Sequence, residues 1–440
     1  MSLRDVLCQE RAIGSLRRAV EGGRLAHAYI FAGEEGVGKF TTAREFAQML
    51  LCHNLAGLAA APKAAAKKAD KPKPAKGLLF EGDSKETNAT PDTAARATVP
   101  RDGCGHCESC RLIDAGTHPD FHVVYKELKR YLTKSQEDQE DSRSEDSKLE
   151  ERQPELIKSG PNKKIATPVE LPVKVIREYL IKQVANSPKL GQHSVFVVKE
   201  MEKSNISSEN AMLKILEEPP KHCTIILLCT QADLLLPTIR SRCQLIRFGR
   251  VDETMIVDRL VGQGVERTEA LFWARFSQGS LGTAQVWAGT DIGEPTIYQV
   301  KRELVDRLAN LRPGEVLETA ERIVKVAKEI AEAWEKGAEN ANKSDLQRKA
   351  RKGLLRMIIG VYEDAMTSAV APGRAMIHAD QAGAIERIRQ GREAESLADG
   401  VEAGYEKLRW IESHVNERLI FEQYLFRLCG CDTIQFLSVE

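Results

Sequence analysis

Ser207–Phe248, SSENAMLKILEEPPKHCTIILLCTQADLLLPTIRSRCQLIRF, is the stretch whose reading decides the fold class. Ile225 to Leu228 is a short apolar run of isoleucine and leucine, which suits a strand covered on both faces and hence a parallel sheet. Thr230 follows at the C-terminal end of that strand, where open α/β sheets place the groups that meet ligands. Pro219-Pro220 stop the helix before it, and Pro237 opens the short segment leading to Ser241-Arg242-Cys243. An arginine held just before the next strand can reach out of the domain.

Toward the N-terminus, Ile13, Leu16 and Val20 recur at helical spacing and the helix ends at Gly22-Gly23. His27 to Ala32 (HAYIFA) reads as a buried strand running into Gly33-Glu34-Glu35-Gly36-Val37-Gly38-Lys39. This strand, glycine loop, helix order is what a phosphate-binding loop needs: glycines let backbone N–H groups approach phosphate, and the helix N-terminus adds positive potential. One position departs. The full motif places Ser or Thr after the lysine to hold Mg²⁺, and here stands Phe40, with Thr41 and Thr42 one and two places late. A helix turns about 100° per residue, so Thr41 points its hydroxyl away from the metal. The loop therefore has two readings, a nucleotide-binding relic through Gly33, Gly36, Gly38, Lys39 and Thr41, or a tight turn kept for the fold.

Val195–Val198 is another apolar strand. An active phosphate-loop ATPase carries at its end an Asp for the Mg²⁺ shell and then a Glu that activates water; here those places hold Lys199 and Glu200. Phe40 and Lys199 depart independently and in the same direction, since both remove Mg²⁺ ligation. The expectation is an ATPase fold that hydrolyses ATP poorly or not at all.

Cys104-Gly105-His106-Cys107-Glu108-Ser109-Cys110 is a C-x₂-C-x₂-C cluster. With Cys52 as fourth thiolate it makes a Cys₄ tetrahedral site, the closed structural zinc type. An iron–sulfur cluster of the bacterial ferredoxin type wants a further cysteine three residues on, where Asp114 stands. His106 as a replacement for Cys52 is awkward between two close cysteines.

Residues 57–101, rich in Ala, Lys and Pro over Ala59–Lys76, and 126–168, strongly charged, read as disordered insertions. After Phe248 the pattern turns to amphipathic helix. The expected domains are 1–249, a small helical lid at 250–298, and an all-α block at 299–440 assigned to oligomerisation.

The whole chain carries 64 Lys plus Arg against 64 Asp plus Glu, which argues against an independent nucleic-acid binder of the basic kind. No apolar run nears the roughly 18 residues of a membrane span, so a cytoplasmic protein is expected. Ten cysteines in that setting favour metal or core use over disulfides.

The glycine loop, the Cys₄ cluster, GTHPD at 116–120, SSENAMLKILEEPP and LLPTIRSRCQ stand in an order that resembles the clamp-loader branch of the AAA+ ATPases, in particular the delta-prime and gamma/tau subunits of bacterial DNA polymerase III. The resemblance covers residues 1 to about 290 outside the insertions, and Phe40 and Lys199 favour the delta-prime type. It implies an α/β P-loop domain on a parallel five-stranded sheet with an inserted zinc module, then a helical lid and an all-α domain. It further implies a hetero-pentamer with gamma/tau and delta type subunits that uses ATP to place a sliding clamp on primed DNA. Arg242 is then an arginine finger completing a neighbour's site, and Thr230 matches a sensor position. Thr283 stands where active relatives commonly carry an arginine, and His118 and His122 are structural. The bland reading of Arg242 is a surface ion pair. An active gamma/tau-type ATPase and a zinc-dependent DNA-binding module are the competing functions.

Overall fold

The computed structural model describes residues 6–54, 102–132, 170–337, 342–411 and 416–430. Strands β1 (Ala28–Ala32), β2 (Phe121–Val124), β3 (Ser194–Val198), β4 (Cys223–Cys229) and β5 (Gln244–Arg247) form a parallel sheet in the order β2-β3-β4-β1-β5. The register sets Ile30 of β1 level with Leu227 of β4, and Leu227 level with Val198 of β3. The residues that follow β1, β3 and β4, namely Gly33, Lys199 and Thr230, therefore emerge along one edge, the C-terminal edge where such sheets bind ligands.

Alternation splits the strands between two apolar layers. Tyr29, Phe31, Val195, Val197, Ile226 and Leu228 face α1 (Glu10–Glu21), α2 (Lys39–Leu51) and α3 (Glu108–Asp114). Ile30, Phe196, Val198, Ile225 and Leu227 face the opposite layer, built from α4 (Val173–Ile176), α5 (Lys182–Val184) and α6 (Ile206–Glu217), a π-turn at Arg177–Ile181 joining α4 to α5. The inner strands β1, β3 and β4 are buried along their whole length because both sheet faces are covered there, which is why Ile225–Leu228 lacks polar alternation, whereas the edge strand β5 buries only Ile246. Asn205 caps α6 by accepting from the Ser208 N–H at 2.8 Å, and the helix stops just before Pro219. The short α7 (Pro237–Arg240) has its proline at the first turn, where no N–H is needed.

Helices follow: α8 (Glu253–Val261), α9 (Arg267–Phe276), α10 (Leu281–Ala288), α11 (Ile297–Ala309), α12 (Val316–Gly337), α13 (Lys343–Val370), α14 (Ala382–Arg389), α15 (Ala394–Trp410) and α16 (Glu417–Leu428). One apolar cluster runs through them from Val251 to Leu428. Trp287 lies in it, stacked on Trp273 at 6.0 Å and edge-on to Trp334 at 5.2 Å. The long helix α13 crosses that ring at Gly353, where any Cβ would overlap the indole.

The expected insertion at 57–101, and 133–168 of the second, lie outside the described residues. The start of the second is corrected: Lys126–Tyr131 forms a 3₁₀ helix. Its charged composition hid two anchors, Leu128 packed on the sheet's second layer and Lys126, only 6% exposed, paired with Asp345.

Candidate functional site

The loop after β1 bends through positive φ at Gly36 (78°) and Gly38 (98°), which only glycine adopts without strain. Lys39 opens α2 and folds back over the loop, its Nζ donating to the carbonyls of Gly33 at 2.5 Å and Glu34 at 2.7 Å. Burial lowers the pKa of Lys39, and Glu202 leads the charges that oppose this. A cleft of about 1360 Å³ opens above the loop, and Gly36, Gly38, Lys39, Thr41, Glu200 and Thr230 all line it. Gly33 contributes through its carbonyl on Lys39. Thr42, buried beneath, turns its hydroxyl back to the Gly38 carbonyl at 2.9 Å.

The two residues that break the metal-binding pattern meet in this cleft. The Lys199 ammonium lies 3.9 Å from the centre of the Phe40 ring and 5.9 Å from that of Tyr125. Such a contact stabilises by about 0.5–2 kcal/mol, more as the ammonium is desolvated. Burial lowers the Lys199 pKa, while Glu127 and Glu200 hold it up.

The strand-end carboxylates are already engaged. Glu200, in left-handed backbone at φ 51°, pairs with Lys203 at 2.5 Å and lies 3.6 Å from Lys126. Thr230 donates its hydroxyl to Glu202 at 3.0 Å. Glu202 is the acid whose charge acts most on Lys39, yet the strand-end pattern singles out Glu200. The signal that separates them is the left-handed turn at Glu200, and a sequence does not display it.

Two later elements close the cleft. At the N-terminus of α10, the Gly282 N–H donates to the Gly36 carbonyl at 2.9 Å and the Ser280 hydroxyl donates to the Glu35 carbonyl at 2.6 Å. Thr283 is tied to Ser280 through its hydroxyl at 2.7 Å. From α13, Lys349 pairs with Glu35 at 2.6 Å, and Asp345 takes the buried Lys126 at 2.7 Å. Burial pulls the Lys126 pKa down, but Asp345 and Glu200 outweigh it and hold the group above the usual lysine value. Arg348, Lys352 and Arg356 line the same wall. Nothing in the order of motifs points to α13, because its contribution is made by ion pairs with residues far away in the sequence.

Arg242 is not among the residues lining this cleft. It follows α7, donates to the Thr238 carbonyl at 2.9 Å and pairs with Glu217 at 2.6 Å, the two side chains 33% and 50% exposed.

At the far end of α2 stands the second constellation. Cys52 caps the helix, and Cys104, Cys107 and Cys110 come to it so that the four sulfurs lie within 4.8 Å of one another. Cys52 to Cys107 and Cys104 to Cys110 are each 3.9 Å apart. Sulfurs placed tetrahedrally about 2.3 Å from a zinc ion are separated by about 3.8 Å, so these two pairs already stand at zinc-site spacing and the chemistry of the four residues fits that ion. N–H groups of Cys104, Cys107 and Cys110 point at the sulfurs of Cys52, Cys104 and Cys107 at 3.3–3.4 Å, which favours thiolates. Burial pushes Cys52 and Cys110 up; at Cys104 burial also opposes ionisation, but the His106 and Cys107 N–H groups outweigh it and hold the thiol down to about 6.

GTHPD braces this module against the sheet. His118 accepts the Asp120 N–H on Nδ1 at 3.0 Å, so Nε2 carries the proton toward Ser109 at 2.9 Å, and Ser109 donates on to the Leu51 carbonyl at 2.7 Å. Asp120 accepts from the Lys189 and Leu190 N–H groups at 2.6 and 2.8 Å.

A family model described as DNA polymerase III, delta subunit, matches residues 8–69 and 57–252, more than half of the chain. The chain belongs to that family. Relatives of this clamp-loader family member include the DNA polymerase III subunit delta' of Pseudomonas aeruginosa, 27% identical over 50% of this chain and 43% of that protein. The delta' subunit of Bacillus subtilis is 23% identical over 67% of this chain and 63% of its own length. The subunit tau/gamma of Haemophilus influenzae is 27% identical over 58% of this chain and 25% of its own. The chain thus spans less than two thirds of each of these relatives. A crystal structure of a DNA polymerase III gamma subunit-related protein from Thermotoga maritima covers 96% of this chain and 99% of its own, at 14% identity and a TM-score of 0.37.

Proposed function

We propose that the chain is a delta-prime-type subunit of a DNA polymerase III clamp loader. It supports ATP-driven loading of a sliding clamp onto primed DNA as a structural and arginine-donating member with an impaired ATP site of its own. The observation that carries this reading is the contact of Lys199 with Phe40 at 3.9 Å. A side chain that should ligate Mg²⁺ is an aromatic ring, and the place of the metal's carboxylate holds an ammonium, so transferred phosphoryl charge would go unneutralised.

Arg242 is the residue assigned to the neighbour's nucleotide. Its pair with Glu217 is no obstacle, since half-exposed ion pairs contribute about 0–1 kcal/mol and are readily exchanged. The partners are gamma/tau and delta type subunits in a hetero-pentamer, with the clamp and primed DNA met through the assembly. The division at about 249 and 298, with the last block as the oligomerisation part, belongs to the same reading, as does a cytoplasmic, nucleoid-associated location. Zn²⁺ held by Cys52, Cys104, Cys107 and Cys110 supplies a structural cross-link and no catalysis.

The test is reconstitution. The chain should join gamma/tau and delta type subunits in one assembly that loads a clamp, and alone with Mg²⁺ and primed DNA it should turn over no ATP. Failure to assemble contradicts the proposal. Turnover by the isolated chain that Lys39→Ala abolishes favours the gamma/tau-type ATPase instead, the reading that the intact glycine loop keeps in play.

A further inference from the structure

Phosphate-loop enzymes bring the residue after the loop lysine and the carboxylate at a strand end together on one Mg²⁺ ion. In this chain the same two positions still converge, as a ring with an ammonium 3.9 Å above its centre. Phe40 offers a cation no ligand atom, and Lys199 repels one. The cleft nevertheless keeps the groups that bind phosphate: the glycine loop, the N-terminus of the thirteen-residue helix α2, and Lys39. At about 1360 Å³ it is also roomy for a nucleotide, since small-molecule sites run about 300–1,000 Å³.

We propose that this cleft binds a nucleoside triphosphate free of divalent metal, with the Lys199 ammonium, seated on Phe40, standing where an active relative holds Mg²⁺. The proposal rests on the reading of the chain as a phosphate-loop clamp-loader subunit and names the ligand form that its altered loop takes. Lys39 and Lys349 both line the cleft and are held by protein oxygens, those of Gly33, Glu34 and Glu35, which phosphate oxygens can replace. The free triphosphate carries more negative charge than its Mg²⁺ complex, so a site with Lys39, Lys199 and Lys349 in its lining, and with neither of the two Mg²⁺-holding positions of an active loop, selects the free anion. Bound in this form the nucleotide is not cleaved, because no ion bridges its terminal phosphates.

Calorimetric titration of the intact chain with ATP, in EDTA and then in excess Mg²⁺, tests this. Saturable binding should persist in EDTA, at least as tight as in Mg²⁺. Lys199→Met should weaken it by about ten- to a hundredfold, the loss of one charged hydrogen-bond donor to phosphate, and Lys199→Arg should retain it. The double variant Phe40→Thr with Lys199→Asp should make binding depend on Mg²⁺, which keeps the test decisive if Lys199→Met folds poorly. Binding that requires Mg²⁺ in the unaltered chain, equal affinity for Lys199→Met, or no saturable binding at all overturns the inference. Assembly with gamma/tau and delta type subunits, measured in parallel, separates the two proposals. A chain that assembles but binds no ATP overturns this one alone, and a chain that binds metal-free ATP but joins no assembly supports this one and contradicts the subunit role.

Discussion

Gly36 is where the glycine loop and the N-terminus of α10 touch backbone to backbone. Its φ is +78°, and a Cβ added there would overlap the Ser280 hydroxyl and lie 2.9 Å from the Thr283 nitrogen. Gly36→Ala should therefore lower stability by more than the roughly 1–2 kcal/mol that left-handed backbone costs an L-residue. Chemical denaturation checks this, and adding Ser280→Gly should recover only the part due to overlap. Full recovery would show that the backbone conformation costs nothing here. The same scale shows why the sequence ranks Glu200 over Glu202. Spacing identifies which residue follows a strand, but Glu200's left-handed turn sends its carboxylate to Lys203 and leaves Glu202 to Thr230.

Helix α2 joins the two constellations, with Gly38 capping one end and Cys52 the other, about 20 Å apart for thirteen residues at 1.5 Å each. The Cys₄ cluster thus stands at the far end of the helix whose near end closes the glycine loop. Cys107→Ser should abolish stoichiometric zinc in metal analysis and lower the melting temperature of the chain. Unchanged zinc content would exclude the Cys₄ site. Helix α13 does the converse from the C-terminal side. Asp345→Asn removes the closest partner of a lysine that is 6% exposed, leaving Glu200 at 3.6 Å. Breaking a buried pair costs about 3–5 kcal/mol, and the partly exposed Asp345, with Glu200 and Glu127 still beside the lysine, places this variant near or below the low end of that range in denaturant unfolding. These elements differ in legibility. The cysteines, glycines and apolar strands are local patterns, so the parallel sheet, the loop and the metal cluster can be read from the chain. The Lys126–Asp345 pair joins residues 219 apart, and no local pattern announces it.

At the scale of the whole molecule, several imidazoles are buried as neutral groups. Burial lowers the pKa of His118, His122 and His378, and burial followed by the charge of His222 brings His193 down to about 4. A histidine depressed in the folded state binds a proton first in the unfolded chain, so its contribution is fully present above pH 6.5 and is lost as pH falls toward the folded value. Stability should thus decline from about pH 6.5 downward, before most carboxylates titrate, and His193→Gln should flatten the fall between 6.5 and about 4 in pH-dependent melting. Equal slopes in both proteins would remove His193 from this account. The helical half behaves as one body in its packing, with an apolar cluster continuous from Val251 to Leu428 and contacts from α10 and α13 onto the loop. Periodicity in the sequence revealed these helices but not their common core, since amphipathic spacing says which face is apolar and not which helix it meets.

In the proposed assembly, a chain with Phe40 and Lys199 at the two Mg²⁺ positions, and with Arg242 outside its own cleft, acts on a neighbour's nucleotide. The most direct measurement is the ATPase rate of an assembly reconstituted with Arg242→Ala in this chain. The expected result is unchanged subunit composition with turnover at the dependent site lowered on the order of 10³-fold or more, the scale of a trans arginine. Normal turnover by a correctly composed assembly would contradict the account.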